Sequence, residues 1–353
     1  MEITNTEEKS LNKLLGLIKS GQLENIELAL AIGKSYPEFQ EKLEAYRKFY
    51  WVVFGEKITQ LTADHLYRLT NQKEVNISDT GLAHLPDEIA ILTNMGKLTV
   101  ANNQLITLPN NIGTLSELVR LDFTNNQIRS LPDSIIQLPL MTLILNENQL
   151  KTLPEKFGNF DELMWLSVSH NKLVSLPEDI GRLENLTKLK LNSNQLKQLP
   201  GSIGKLQELS LLQISDNQLN VLPDSFGSLG RLKEFFLEKN QFTEIPPQLH
   251  DLKNIRTISL SQNPIEHISP DIFYHPTLTY AIFNRCGLKK IDFSSHKNAS
   301  NITHLYLMNN ELESIPASIQ SLTKLRFLKL RGNPLDKSQV DQLRQWLPNC
   351  RIT

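Results

Sequence analysis

Asparagine returns in a single frame through most of this chain. It stands at positions 103, 126, 148, 171, 194, 217, 240 and 263, then at 310 and 333. The step is 23 residues, apart from 22 between Asn126 and Asn148 and a double step of 47 across Cys286. Cys286 fills the slot between 263 and 310, and Thr80 stands one step before Asn103, which makes twelve units. A fixed period of this length marks a stacked-repeat architecture, in which each unit buries its apolar side against its neighbours. The chain has 353 residues, more than one globular core usually supports, and a stack escapes that limit.

The residues around each Asn repeat as well. Leu186 to Leu196, LTKLKLNSNQL, fits L-x-x-L-x-L-x-x-N-x-L. Side chains alternate along a strand, so the apolar residues five and three places before the Asn point inward, Leu189 and Leu191 in one unit and Leu212 and Ile214 in the next. The Asn then turns the chain. Its amide offers donors and an acceptor for buried turn backbone, whose unpaired groups cost roughly 1–3 kcal/mol each. Stacked along the chain, these side chains should form a ladder.

The second half of each unit reads L-P-x-x-I-x-x-L, as in Leu176, Pro177, Ile180 and Leu183. Proline fixes its own φ, donates no main-chain hydrogen bond and holds the preceding residue extended. Extended or single-turn segments, not long helices, are therefore expected there. Three units depart from the pattern. The first has Thr80, the ninth reads HISPDIF with Pro270 displaced by one place, and the tenth has Cys286 and the irregular stretch IDFSSHKNAS. The loop from Lys289 to Asn301 should be irregular.

This pattern resembles the intracellular 23-residue class of leucine-rich-repeat proteins, which includes the Ras-associated scaffold group, related plant disease-resistance-type proteins and many bacterial members. The resemblance runs from about Gln72 to Cys350. It implies an α/β repeat solenoid: a horseshoe with a concave parallel β-sheet of about twelve strands, used for protein recognition. It brings no catalytic residues with it.

Residues 1–70 have a helical period. Leu11, Leu14, Leu15 and Ile18 share one face, and Leu23, Ile26, Leu28 and Leu30 support a second helix with Gly33 near its end. Pro37 opens a third, carrying Phe39, Leu43, Tyr46, Phe49 and Tyr50, and a fourth begins near Thr62 with Leu66 and Leu69. The region reads as an N-terminal cap, or as a separate module with its own partner. The repeats occupy 71–335. Residues 336–353 read as a short helical C-terminal cap, started by Asp336 or Ser338, with Val340, Leu343, Trp346 and Leu347 on its apolar face. Cys350 should be buried packing.

Lysine and arginine number 37 against 38 acidic residues, which leaves no excess for neutralising phosphate and argues against nucleic-acid binding. Two cysteines, Cys286 and Cys350, are too few and too far apart for a secreted disulfide framework. The opening MEITNTEEKS is acidic where a signal peptide is basic, and no apolar run is long enough to span a membrane. The sequons at Asn76, Asn185, Asn298 and Asn301 are read as chance in an Asn-rich repeat. A cytoplasmic monomer is expected. No Walker loop, H-E-x-x-H or C-x-x-C occurs, so neither cofactor nor metal is expected. His170 reads as an ordinary surface side chain. Cys286 points inward in the repeat frame, which argues against a nucleophilic role.

The partner is expected on the outward strand positions, which lie six, four and two places before the ladder residue and stack into three columns about 4.8 Å per strand. Bulky apolar residues gather there in three places: Ile144 with Trp165, Leu211 with Phe236, and Tyr280, Ile282, Tyr306, Met308 and Phe327 on the last strands. His304 lies in the same columns as the last group, and Arg285, Lys329 and Arg331 supply a basic rim. Contiguous aromatic patches tend to mark interaction sites. The chain thus reads as a non-catalytic scaffold or recognition module. The alternative is a regulatory subunit or fragment acting with an enzyme on a separate chain.

Overall fold

A computed structural model describes residues 5–294 and 299–353. The Asn298 sequon and the middle of the IDFSSHKNAS stretch lie outside the described residues. The chain divides into two compact units, one ending at Leu163 and the other running from Met164 to Thr353.

The first unit opens with four helices: α1 (Asn5–Lys19), α2 (Leu23–Ile32), α3 (Pro37–Phe54) and α4 (Ala63–Thr70). Pro37 sits at the start of α3, where its missing N–H is no loss. Thr62 caps α4 in a box with His65, each side chain bonding the other's backbone. Ile18, Ile26, Ala29, Phe39, Tyr46, Phe49, Tyr50, Leu66 and Leu69 form the core of this bundle. The second helix falls where the apolar residues placed it, with Gly33 at its end. On α2 the buried face is Ile26 and Ala29, while Leu23 and Leu28 are exposed, because α2 is apolar on nearly every side and only its packing on α1 and α4 selects a face.

The bundle joins the first repeat through backbone acceptors left open at helix ends. Thr93 Oγ1 donates to the Lys19 carbonyl at 2.9 Å, and Asn94 Nδ2 donates to the Thr70 carbonyl at 2.9 Å. Strands β1 (Glu74–Asn76), β2 (Lys97–Thr99), β3 (Arg120–Asp122) and β4 (Thr142–Ile144) follow, paired in parallel and in chain order.

The second unit continues the same plan. Its strands are β5 (Trp165–Ser167), β6 (Lys188–Lys190), β7 (Leu211–Gln213), β8 (Glu234–Phe236) and β9 (Thr257–Ser259). Then come β10 (Tyr280–Ile282), β11 (His304–Tyr306), β12 (Phe327–Lys329) and β13 (Arg351–Ile352). All are parallel, each paired with the next. The helix α5 (Lys337–Trp346) is capped by Asp336, packs against the turn at Ala317–Ser321 and buries Leu343 and Leu347. The thirteenth strand is an addition to the twelve expected. Cys350 is half-buried, short of the full burial anticipated.

The ladder has the expected form. Asn194 Nδ2 donates to the carbonyls of Leu191 in its own repeat (3.1 Å) and Val168 in the preceding one (2.9 Å), and its Oδ1 accepts from Leu173 N at 3.0 Å. One amide thus ties two repeats. Cys286 cannot do all of this. Its thiol reaches the Leu260 carbonyl at 3.5 Å, but Ile265 N has no amide oxygen to meet and turns to the Asn263 carbonyl at 2.8 Å.

The residue before each ladder position is left-handed, from Asp79 through Asn309, with φ between 52° and 60° at non-glycine residues as unlike as Glu147, Lys239 and Arg285. Gly332 ends the series. The conformation aims the residue's N–H at the next repeat, as from Lys239 N to the Ser261 carbonyl at 2.9 Å. The proline half forms single 3-10 turns, such as Glu178–Arg182, most of them entered through a proline; Phe157–Asn159 is entered through Lys156, and displaced Pro270 lies inside its turn, entered through Ser269. Neighbouring turns touch at the I-G positions. A Cβ on Gly204 would meet the Ser225 carbonyl oxygen at 2.1 Å, so glycine there permits the close stacking.

Candidate functional site

The site is built by strand register in the second unit. Parallel pairing aligns Tyr280 with His304, His304 with Phe327, and Phe327 with Arg351. The next row aligns Ile282, Tyr306 and Lys329. Between these rows Ala281, Leu305 and Leu328 point into the core and are fully buried. The outward row therefore presents rings one strand apart, and they stack. His304 lies between Tyr280, at 4.0 Å and 15°, and Phe327, at 4.6 Å and 18°. Tyr306 meets the His304 edge at 6.2 Å, and Lys329 Nζ sits 4.2 Å from the Tyr306 ring centre.

A concavity of about 320 Å³ opens beside this stack, lined by His304, Tyr306, Phe327, Lys329, Arg351 and Thr353. No lining side chain is acidic. Burial between the rings, with Arg326 and Lys329 nearby, holds the His304 imidazolium below its ordinary pKa. The imidazole is thus mainly neutral near pH 7. The arrangement offers flat apolar surface edged by cations, suited to an apolar or aromatic group with acidic neighbours.

The sequence-derived site residues separate into groups. Tyr280, Ile282, His304, Tyr306, Phe327 and Lys329 come together. Met308 is half-buried and Arg331 exposed at the ends of their strands. Trp165 lies on β5, five strands and so roughly 24 Å from β10. There it forms its own cluster, with Lys188 Nζ at 5.6 Å and Lys190 Nζ at 5.7 Å from its ring. Phe236 is aligned with Gln213 and Ser259, and β9 divides it from Tyr280. Arg351 was missed in the sequence. Its signal was present: it follows Phe327 by 24 residues, the step that separates His304 from Tyr280.

Two outward columns are less available than their positions suggest. Ile144, Ser167 and Ser259 are buried. Ser259 stands between Phe236 and Ile282, whose larger side chains overtop a hydroxymethyl group. The third column is engaged in structure. Ser169 Oγ accepts from Asn192 N at 3.2 Å, Asn192 Oδ1 from Ser215 N at 2.9 Å, and Asn284 Oδ1 from Met308 N at 2.8 Å. This is a second ladder of side chains, capping the amide N–H of the next repeat.

Cys286 is buried, and burial pushes its thiol up to about 11, so the thiolate a nucleophile needs is suppressed near neutrality. Among the described residues no group of three or more His, Cys, Asp or Glu side chains is placed to hold a metal ion. Among them no helix is long and apolar enough to cross a membrane.

Short parallel strands, an asparagine ladder and proline-led turns repeating together define a leucine-rich-repeat protein. Family comparison agrees. The leucine-rich repeat region family matches residues 178–274, and the leucine rich repeat family matches 116–173, 139–196 and 276–335. The chain is a leucine-rich-repeat protein. No curated protein sequence matches it. Among solved structures, a leucine-rich-repeat protein of Leptospira interrogans is similar at 26% identity and a TM-score of 0.58, over 82% of this chain and 86% of that one. The PEPR1–AtPEP1 structure is similar at 27% identity and a TM-score of 0.58, over 77% of this chain but only 40% of that one. The plant peptide hormone receptor RGFR1 in complex with RGF2 shares the fold, at 22% identity and a TM-score of 0.53, over 79% of this chain and 49% of that one.

Proposed function

We propose that this chain is a non-catalytic recognition module of the intracellular repeat class, which holds a protein or peptide partner on the outward side of β10–β13. The observation that carries the reading is the Tyr280–His304–Phe327 stack with Tyr306 and Lys329 beside it. Exposed aromatic surface costs free energy in water, and its concentration over three adjacent strands marks an interface. Tyr280 is 37% exposed, so the stack is open to a partner. The same fold serves peptide recognition in RGFR1, a likeness of fold. Residues 1–70, whose described helices begin at Asn5, act as the cap of the first repeat, and residues 336–353 as the cap of the last. Free thiols at Cys286 and Cys350 suit a reducing cytoplasm.

Affinity capture tests the main reading. Wild-type chain and a Tyr280→Ala/Tyr306→Ala variant are used side by side as bait. A protein recovered by the wild type and lost with the variant supports the site. The same proteins recovered by both would remove it. The cap reading predicts aggregation when residues 1–70 are deleted, and a soluble, cooperatively folding truncation would refute it.

A further inference from the structure

The N-terminal helices carry a second feature that capping does not use. A groove of about 550 Å³ runs along the C-terminal half of α3. Its walls are Ala45, Phe49, Trp51, Val52, Ile58 and Pro86. The volume falls in the range of pockets that enclose a large side chain or small ligand. Phe49 is its buried floor, while Trp51 is 51% exposed. The bundle core is complete without Trp51, since Phe39, Tyr46, Phe49 and Tyr50 supply the buried aromatics of α3. A half-exposed Trp beside an apolar groove is the residue type that most often anchors interfaces.

The groove is fixed rather than collapsed. Arg47 donates to the Ile58 carbonyl at 2.8 Å and holds the segment after α3 across the helix. The charges at the groove are unbalanced. Arg47, Lys48 and Lys57 line it against one carboxylate, Glu88, while Lys42 and Glu44 sit just outside as ion-pair partners of lining residues. Glu44 is taken by Arg47 at 2.7 Å, and Glu88 by Lys42 at 3.4 Å. Lys48 and Lys57 are left as the basic rim, and Lys57 Nζ lies 5.9 Å from the Trp51 ring.

We propose that this groove is a second docking site, which takes a bulky apolar side chain carried on an acidic peptide segment of a protein partner. The apolar walls would bury the anchor beside Trp51, and Lys48 and Lys57 would meet flanking Asp or Glu residues. The site lies wholly in the first unit and does not depend on the function assigned to β10–β13.

The test uses a random-peptide phage library selected on the full chain, with Trp51→Ala and Lys48→Glu/Lys57→Glu variants as counter-selections. Matching thermal melts establish that both variants fold. Peptides that depend on Trp51 should carry Trp, Phe or Leu flanked by Asp or Glu. Titrated as synthetic peptides, they should lose about tenfold or more in affinity with either variant, the loss expected of an interface anchor. They should bind Tyr306→Ala as they bind the wild type. Absence of any Trp51-dependent peptide, or a neutral or basic consensus, would overturn the proposal. So would concentration-dependent self-association, or binding to anionic phosphatidylserine vesicles, that Trp51→Ala abolishes, since these assign the groove to a second copy or to a lipid surface.

Discussion

The imidazole of His304 lies 4.0 Å from the ring of Tyr280, with the two planes 15° apart. The contact joins neighbouring strands at one register position. It orders both rings against each other, so a partner at the proposed site would cost them less side-chain freedom on binding.

Tyr306→Ala should therefore separate folding from binding. The side chain is half-buried on the outward face and its ring meets His304 and Lys329, so its loss should cost about 1 kcal/mol of stability. Affinity for the partner recovered by capture should fall by about 2 kcal/mol or more. Calorimetric titration beside Thr99→Ala, on β2 of the first unit, checks this. Equal affinities for the two variants would move the site to the Trp165 cluster.

The ladder gives a stability prediction. Asn194→Ala leaves the Val168 and Leu191 carbonyls and the Leu173 amide without their side-chain partner. The expected loss is about 1–3 kcal/mol. Leu191 is fully buried, and Leu191→Ala should cost about 2–5 kcal/mol through the cavity it leaves. Thermal melts that overlay the wild type would show that the repeat contacts described above do not hold the fold.

Cys286 is the weak rung. Cys286→Asn would supply an oxygen for Ile265 N and donors for the Leu260 and Asn284 carbonyls, as Asn does in neighbouring repeats. A gain of about 1 kcal/mol is expected, the net worth of a typical added hydrogen bond. A lower denaturant midpoint than wild type would mean that the tenth repeat has adapted its packing to sulfur.

The left-handed positions predict an unusual ranking. Lys239 has φ 52°. Lys239→Gly should be neutral or stabilising, because glycine meets no steric penalty there. Lys239→Val should cost about 1–3 kcal/mol, since a β-branched residue resists that region. Equal melting of the two variants would show that the turn relaxes.

His275 sets an acid limit. It is buried, and burial followed by the nearby His250 lowers its pKa below the ordinary 6.5. Above that value the imidazole is neutral in both folded and unfolded chains, and its contribution is fully present. As pH falls the unfolded chain takes up the proton first, so stability is lost from about 6.5 downward until the folded pKa is passed. Denaturant midpoints measured from pH 8 to 5 should show this fall, and His275→Asn should flatten it. An unchanged slope in the variant would assign the fall to other groups.

The repeat could be read in the sequence because each slot answers to a local demand. Leu189 and Leu191 must alternate inward, Asn194 must satisfy a buried turn, and Pro177 must enter a turn without donating a hydrogen bond. These demands recur every 23 residues, so period alone exposes them. The helices of residues 5–70 were legible for the same reason, through apolar spacing, a proline start and a Thr cap. What the period could not report is how neighbouring repeats use their outward side chains. Ser169, Asn192 and Asn284 sit at outward positions yet serve backbone amides of the next repeat, because only stacking brings those N–H groups within reach. Ser259 is buried because taller neighbours flank it across the strands. Arg351 joins Phe327 because the tail folds back as one more strand. Sequence determined which residues face out; contact between strands decided which of them meet, stack and remain available.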